Sequence, residues 1–148
     1  MTSNARRLFC GAALFISGLA LSARALNDDQ LKMFHDSGGW EYITVRDADD
    51  GIQTKHTCFD GRPHPEECSG TLTFHTENTF VQSVHIHGKT VQRHGNYELD
   101  GTELSLYDEF GTRDGPYTID IDTEKRSMTM QMPQVRIELQ LKSALAQQ

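Results

Sequence analysis

The sequence predicts an all-β protein, an antiparallel up-and-down (meander) barrel of eight to nine strands with a short N-terminal helix. Three observations carry that prediction. From Trp40 to Leu141 apolar residues recur with a period of two, the signature of half-buried strands. Turn signals interrupt the pattern at Asp50-Gly51, Glu77-Asn78, Gly88-Lys89, Asp100-Gly101 and Asp114-Gly115-Pro116. Most connections are too short to hold a crossover helix, so neighbours in sequence pair antiparallel. A sheet of this many strands curls and closes to remove its edges.

The first 25 residues stand apart from this pattern. Arg6 and Arg7 form a basic start, Leu8 to Leu21 is an apolar run too short for a comfortable membrane span, and Ala23-Arg24-Ala25 offers small residues for a peptidase. Residues 1–25 therefore read as a secretory signal peptide, and Ala-Arg-Arg-Leu-Phe partly matches the twin-arginine motif, so the export route is Sec or twin-arginine. The expected location is the periplasm or the exterior, with no stable membrane insertion after cleavage. Removing 25 of the 148 residues leaves 123, enough for one barrel domain over residues 26–148. Loss of Arg6, Arg7 and Arg24 takes the net charge from −7 to −10, which excludes nonspecific nucleic-acid binding.

The mature chain opens with a helix. Asn27 is a good N-cap, Asp28 and Asp29 suit the positive helix end, and Gln30 sits where a capping box needs it. Leu31 and Phe34 share a face, and Ser37-Gly38-Gly39 ends the helix. The predicted strands follow at Trp40–Asp47, Ile52–Cys58, Thr71–Thr76, Thr79–His87, Thr90–Leu99, Thr102–Asp108, Tyr117–Asp122, Ser127–Met132 and Val135–Leu141.

The stretch His56-Thr-Cys-Phe-Asp-Gly-Arg-Pro-His-Pro-Glu-Glu-Cys68 holds both cysteines of the mature chain. In an oxidising compartment Cys58 and Cys68 are expected to form a disulfide rather than a metal site, and the spacing is not that of a redox motif. Pro63 and Pro65 stiffen the closed loop, whose rim carries Arg62 and His64.

Two-residue turns at Gly88-Lys89 and Asp100-Gly101 fix a register for the central hairpins. They place Phe80, Val84, Ile86, Val91, Tyr97, Leu104 and Leu106 on one face, the predicted interior. Arg93 and Asp108 fall on that face directly opposite each other. Such a pair is either an internal salt bridge that fixes register or a polar anchor for a ligand's carboxylate or hydroxyl.

Gly38-Gly39-Trp40, after a short capped helix, is similar to the Gly-x-Trp start of lipocalins. Gly70-Thr-Leu-Thr-Phe, Gly95-Asn-Tyr-Glu-Leu-Asp-Gly and Tyr117-Thr-Ile-Asp-Ile resemble phrases of bacterial lipocalin-like β-barrel domains of unassigned function. The resemblance runs from about Gly38 to Leu141. It implies a barrel with one open mouth that holds a small hydrophobic or amphipathic ligand. Lipocalins also set an arginine of the last strand against the tryptophan; here Arg136 is on the last strand but alternates with Val135 and Ile137.

The leading expectation is thus an exported barrel in which Phe80, Tyr97, Leu104, Leu106, Met128 and Met130 line a ligand site and Arg93 and Asp108 provide its handle. Met128, Met130 and Met132 share one face, as core residues or as soft copper ligands. A second expectation is a metal site for Zn²⁺ or Cu²⁺ on the outer face at His85, His87 and His94, with His75 also outward. A third is an inhibitor of a secreted protease, because small exported barrels with one disulfide resemble such inhibitors; Leu26 onward would then enter the target's cleft and the core would be filled. No catalytic motif is present, so an enzyme is not favoured and no cofactor is implied, although Tyr97, Arg93 and Asp108 have the chemistry for acid–base work.

Overall fold

The computed structural model describes residues 24–49 and 52–147. The expected signal peptide lies outside the described residues except for Arg24 and Ala25, as does the Asp50-Gly51 turn.

The helix forms as its sequence dictates. In α1 (Asp28–Phe34) the Asn27 side chain accepts from the Gln30 N–H at 2.9 Å, and the Asn27 N–H donates to Gln30 Oε1 at 3.0 Å. Gln30 Nε2 then donates to the Ile121 carbonyl, tying the helix to the barrel. Phe34 is fully buried, stacked on Phe74 at 4.1 Å and edge-on to Tyr97 at 5.5 Å. The helix therefore stoppers one end of the barrel.

The described residues form nine strands: β1 (Trp40–Asp49), β2 (Ile52–Thr57), β3 (Cys68–Phe74), β4 (Thr79–Ile86), β5 (Lys89–Asp100), β6 (Glu103–Asp108), β7 (Arg113–Asp122), β8 (Ser127–Met132) and β9 (Val135–Leu141), followed by one helical turn, α2 (Lys142–Leu145). Every pairing is antiparallel, and β3 to β9 follow one another in order. β1 pairs with β9 from Trp40↔Leu141 to Asp47↔Val135 and so closes an eight-stranded barrel. β2 is the ninth strand and pairs with the outer half of β1 alone, Thr44↔Thr57 to Asp49↔Ile52, while Trp40 and Glu41 pair with β3.

Two glycines allow the sheet to coil so tightly. A Cβ on Gly95 would collide with the Tyr107 carbonyl oxygen, and one on Gly70 would meet the Ser83 carbonyl oxygen at 2.6 Å. Both sit inside strands, where a side chain would push the neighbouring strand away.

Two β-bulges set what faces inward. Between Tyr42 and Thr44 the β1–β9 register shifts, so Tyr42 and Val45, three apart, both point into the barrel. Between Leu104 and Leu106 the β6–β7 register shifts as well, pairing Leu104 with Tyr117 but Leu106 with Asp114. Past the first bulge Asp47 joins the inner face, and past the second Asp114 does.

Both central turns differ from the sequence expectation by one residue, which shifts the cross-strand pairing by two. The β4–β5 turn is at His87-Gly88, both with positive φ (52° and 70°), and pairs Ile86 with Lys89. The β5–β6 turn is at Gly101-Thr102 and pairs Tyr97 with Leu106 and Gly95 with Asp108. A shift of two preserves which face each residue occupies, so the predicted inner face holds, but it changes every partner.

The helix-capped half is packed solid. Trp40, Phe74, Phe80, Leu104, Leu106, Met128, Met130 and Leu139 are essentially inaccessible. Met128 and Met130 are core residues paired with Leu139 and Ile137, and Met132 packs partly buried beside them. The disulfide joins Cys58 to Cys68, both buried, at the junction of β2 with β3. The chain leaving β2 is held there by the Cys58 and Phe59 N–H groups, which both donate to the carbonyl of Ile43 at the β1 bulge.

Closing a loop with a separation of 10 residues removes chain entropy from the unfolded state. Replacing Cys58 and Cys68 together with alanine should therefore cost about 2–3 kcal/mol in reversible urea unfolding. An unchanged midpoint would mean the staple does not constrain the unfolded chain.

Candidate functional site at the open mouth of the barrel

The end opposite α1 carries the β4–β5 turn, the 109–112 loop between β6 and β7, the β8–β9 turn and the outer half of the β1–β2 pair. Here the inner face turns from apolar to polar. Gln82 follows Phe80 on β4, Arg93 lies across from it on β5, and Asp114 is brought inward by the β7 bulge.

These side chains form one connected network. Gln82 Nε2 donates to the Tyr42 hydroxyl at 2.6 Å, and Gln82 Oε1 accepts from Arg93 Nε at 2.8 Å. Arg93 Nη2 donates to Asp114 Oδ2 at 2.6 Å, and Asp114 Oδ1 accepts from the Tyr117 hydroxyl at 2.8 Å. The Gln82 amide is buried, and both its ends are satisfied, as burial requires. The Arg93 and Asp114 side chains keep 28% and 24% of their surface accessible, so the ion pair is the top of the network and faces the mouth.

Burial sets the protonation of the two tyrosines. Tyr42 is pushed up to about 12, chiefly by desolvation, with Gln82 and Arg93 opposing. Tyr117 is raised further by burial and then by the Asp114 carboxylate beside it. Both remain neutral phenols, and Tyr117 serves as a hydrogen-bond donor to Asp114.

The structure redistributes the residues that the sequence singled out. Arg93 is inward, but its partner is Asp114, not Asp108. Asp108 lies opposite Gly95 and turns its carboxylate back to accept from the N–H groups of Phe110 and Thr112. The reason is that the β5–β6 turn falls one residue later, which shifts the pairing by two. Phe80, Leu104, Leu106, Met128 and Met130 are packed in the closed half of the barrel, away from the mouth. Tyr97 is there too, its hydroxyl donating to the His75 carbonyl and in contact with His35 Nε2 at 2.7 Å.

The outer histidines are separated. His85 lies across from Thr90 and contacts its hydroxyl; His94 lies across from Val81 and meets Glu109 at 3.3 Å. His87 has left the strand for the turn, where its ring meets that of His56 edge-on at 4.1 Å. His85, His87 and His94 therefore form no common set, because the turn falls one residue earlier than its glycine suggested. Arg136 faces outward and bonds Glu138 and Gln131, while Trp40 lies across from Leu141 and donates Nε1–H to the Phe34 carbonyl. Leu26 is buried in the core cluster beside the capped helix, docked rather than extended.

The chain matches no protein-family model, no curated protein and no solved structure. The closed barrel is compatible with a lipocalin-like architecture, and the site rests on its own geometry.

Sequence reasoning missed Tyr42, Gln82, Asp114 and Tyr117. Gln82 carried a visible signal, a polar residue between Phe80 and Val84 on an apolar face. Asp114 read only as a turn residue, because its inward aim depends on a bulge.

The folded barrel holds the Tyr42 proton above the ordinary value of 10, up to about 12. In that window the unfolded chain releases a proton that the folded chain keeps, so stability is complete below pH 10 and falls as pH rises toward 12. Tyr42→Phe should reduce this alkaline loss in urea unfolding at stepped pH and leave the share that Tyr117 contributes. At neutral pH it should cost about 1–3 kcal/mol, because Gln82 Nε2 loses its acceptor.

Proposed function

We propose that this protein is an exported, lipocalin-like barrel that binds a small amphipathic molecule at its open mouth, with Arg93 holding the molecule's anionic or hydroxyl head. The observation that carries this reading is the part-exposed Arg93–Asp114 pair on the inner wall of the mouth. An inward arginine is expensive to desolvate and is kept here by a five-residue network. Arg93 Nη1 makes no hydrogen bond among the described residues, which leaves one guanidinium edge for a ligand.

Apolar surface surrounds this polar floor. Val84 and Ile86 of β4 lie on the same inner face, and Val91 of β5 is exposed directly across from Val84. Ile52 and Phe110 are exposed on the strand and loop at this end, Phe110 at 85%. A ligand with an anionic head and an apolar body complements that arrangement. The filled lower half means that the ligand sits at the mouth and does not penetrate to Trp40. The disulfide supports an oxidising compartment, and among the described residues no helix is long and apolar enough to cross a membrane. The inhibitor reading has its filled core, but its inserting segment is the one docked at Leu26.

The test is displacement of a fluorescent alkyl carboxylate from the mature protein. Arg93→Gln should weaken binding about tenfold to a hundredfold, the worth of a hydrogen bond to a charged group, with the far-UV spectrum unchanged. Asp108→Asn, which removes the charge but keeps the acceptor for the Phe110 and Thr112 N–H groups, should bind like the parent. Equal affinity in Arg93→Gln and the parent would remove Arg93 as the handle.

A further inference from the structure

We infer that Asp47, His56 and His87 form a binding site for one divalent transition-metal ion of the Zn²⁺ class at the rim of the mouth. Three distant stretches of chain converge there. Asp47 comes from β1, His56 from β2 and His87 from the β4–β5 turn. One ligand-capable atom from each lies within 4.8 Å of the other two.

The backbone explains the convergence. Val45 pairs with His56 and Asp47 with Thr54, so Asp47 and His56 are diagonal neighbours on one face. The bulge at Tyr42/Thr44 makes that face the inner one. β2 ladders only with β1, and β3 starts at Cys68 across from Ile86, so beyond that point His87 meets His56 side chain to side chain with no ladder between them. A shared ion would fasten the β1–β2 pair to the β4–β5 hairpin across this seam.

His56 supplies the decisive observation. It is only 7% exposed, and its Nε2 is fully buried with no hydrogen-bond partner. The nearest candidate is Asp47 Oδ1 at 3.6 Å, too far for a hydrogen bond. Buried nitrogens are rarely left so. Yet 3.6 Å is close to the separation of two donors on one tetrahedral ion, about 3.3–3.4 Å for bonds of about 2.0–2.1 Å. His87 is exposed, and its ring already stands edge-on to that of His56 at 4.1 Å, beside the third vertex.

The donor set fits the chemistry. Two imidazoles and one carboxylate suit Zn²⁺, Ni²⁺ or Cu²⁺ and are a poor cage for Ca²⁺ or Mg²⁺, which want oxygen. Three protein ligands leave a fourth position for water or for a donor atom of a bound molecule. Among the described residues one further cluster of metal-capable side chains, His64, Glu66 and Glu67, is already engaged: His64 Nε2 bonds Asp60 at 2.9 Å and Nδ1 lies 3.5 Å from Glu66.

The experiment is isothermal titration of the oxidised mature protein with ZnCl₂, with the melting temperature followed in parallel. The expected result is one ion per chain and a higher melting temperature. His87→Asn preserves a residue that accepts the positive-φ turn and removes only the imidazole. It should weaken Zn²⁺ binding by at least about tenfold, as should Asp47→Asn. The His85→Ala/His94→Ala and His64→Ala variants should bind like the parent. Absence of Zn²⁺ binding by the parent would overturn the site. So would full retention of binding in the Asp47→Asn/His87→Asn double variant, or its loss in His64→Ala.

Discussion

One strand does the work of closure. β1 shares one edge with β9 along its length and divides the other between β3 and β2. A strand that must serve three partners cannot be regular throughout, and the register shift between Tyr42 and Thr44 is where it yields. The Ile43 carbonyl at that point accepts from Cys58 and Phe59, so the bulge is also where β2 hands the chain to the disulfide loop. Closure, the ninth strand and the staple therefore meet around one irregular residue.

The same device divides the interior in two. Toward α1 the strands alternate regularly, and their inward residues are aromatic and aliphatic groups that are almost wholly buried. Toward the mouth the bulges on β1 and β7 re-aim Asp47 and Asp114 inward, among residues that include His56 and Arg93. Bulges commonly sit at barrel rims, where they redirect side chains. Polar groups are affordable at this end because Arg93 and Asp114 remain partly solvated while the buried Gln82 amide is fully bonded. Placed beside Leu104 and Met128, the same ion pair would be stripped of water on every side.

What was legible in the sequence follows from this division. The period of two, the turn residues and the capping box at Asn27 and Gln30 determine the strands, their order and the helix, because each is a local signal. The inner face is the same under the two-residue change of pairing that each one-residue turn shift brings, since side-chain direction repeats every two residues. Partners did not survive it: Arg93 was matched to Asp108, and the histidines of β4 and β5 were gathered into a set they do not form. His87-Gly88 carries the turn, and histidine is a less familiar occupant of a positive-φ position than asparagine. The inward aim of Asp47 and Asp114 was beyond reach, because strict alternation places both on the wrong face until a bulge is known. The site thus lies where the period of two breaks.

The two helical caps have a geometric corollary. α1 leads into Trp40, β9 ends at Leu141 across from Trp40, and the Lys142 N–H donates to the Gly39 carbonyl. Both ends of the described chain therefore emerge together at the stoppered pole. A tag, dye or surface linker joined at either end of the described chain sits behind the barrel, and the molecule held by it presents Arg93, His87 and the apolar rim outward to the solution.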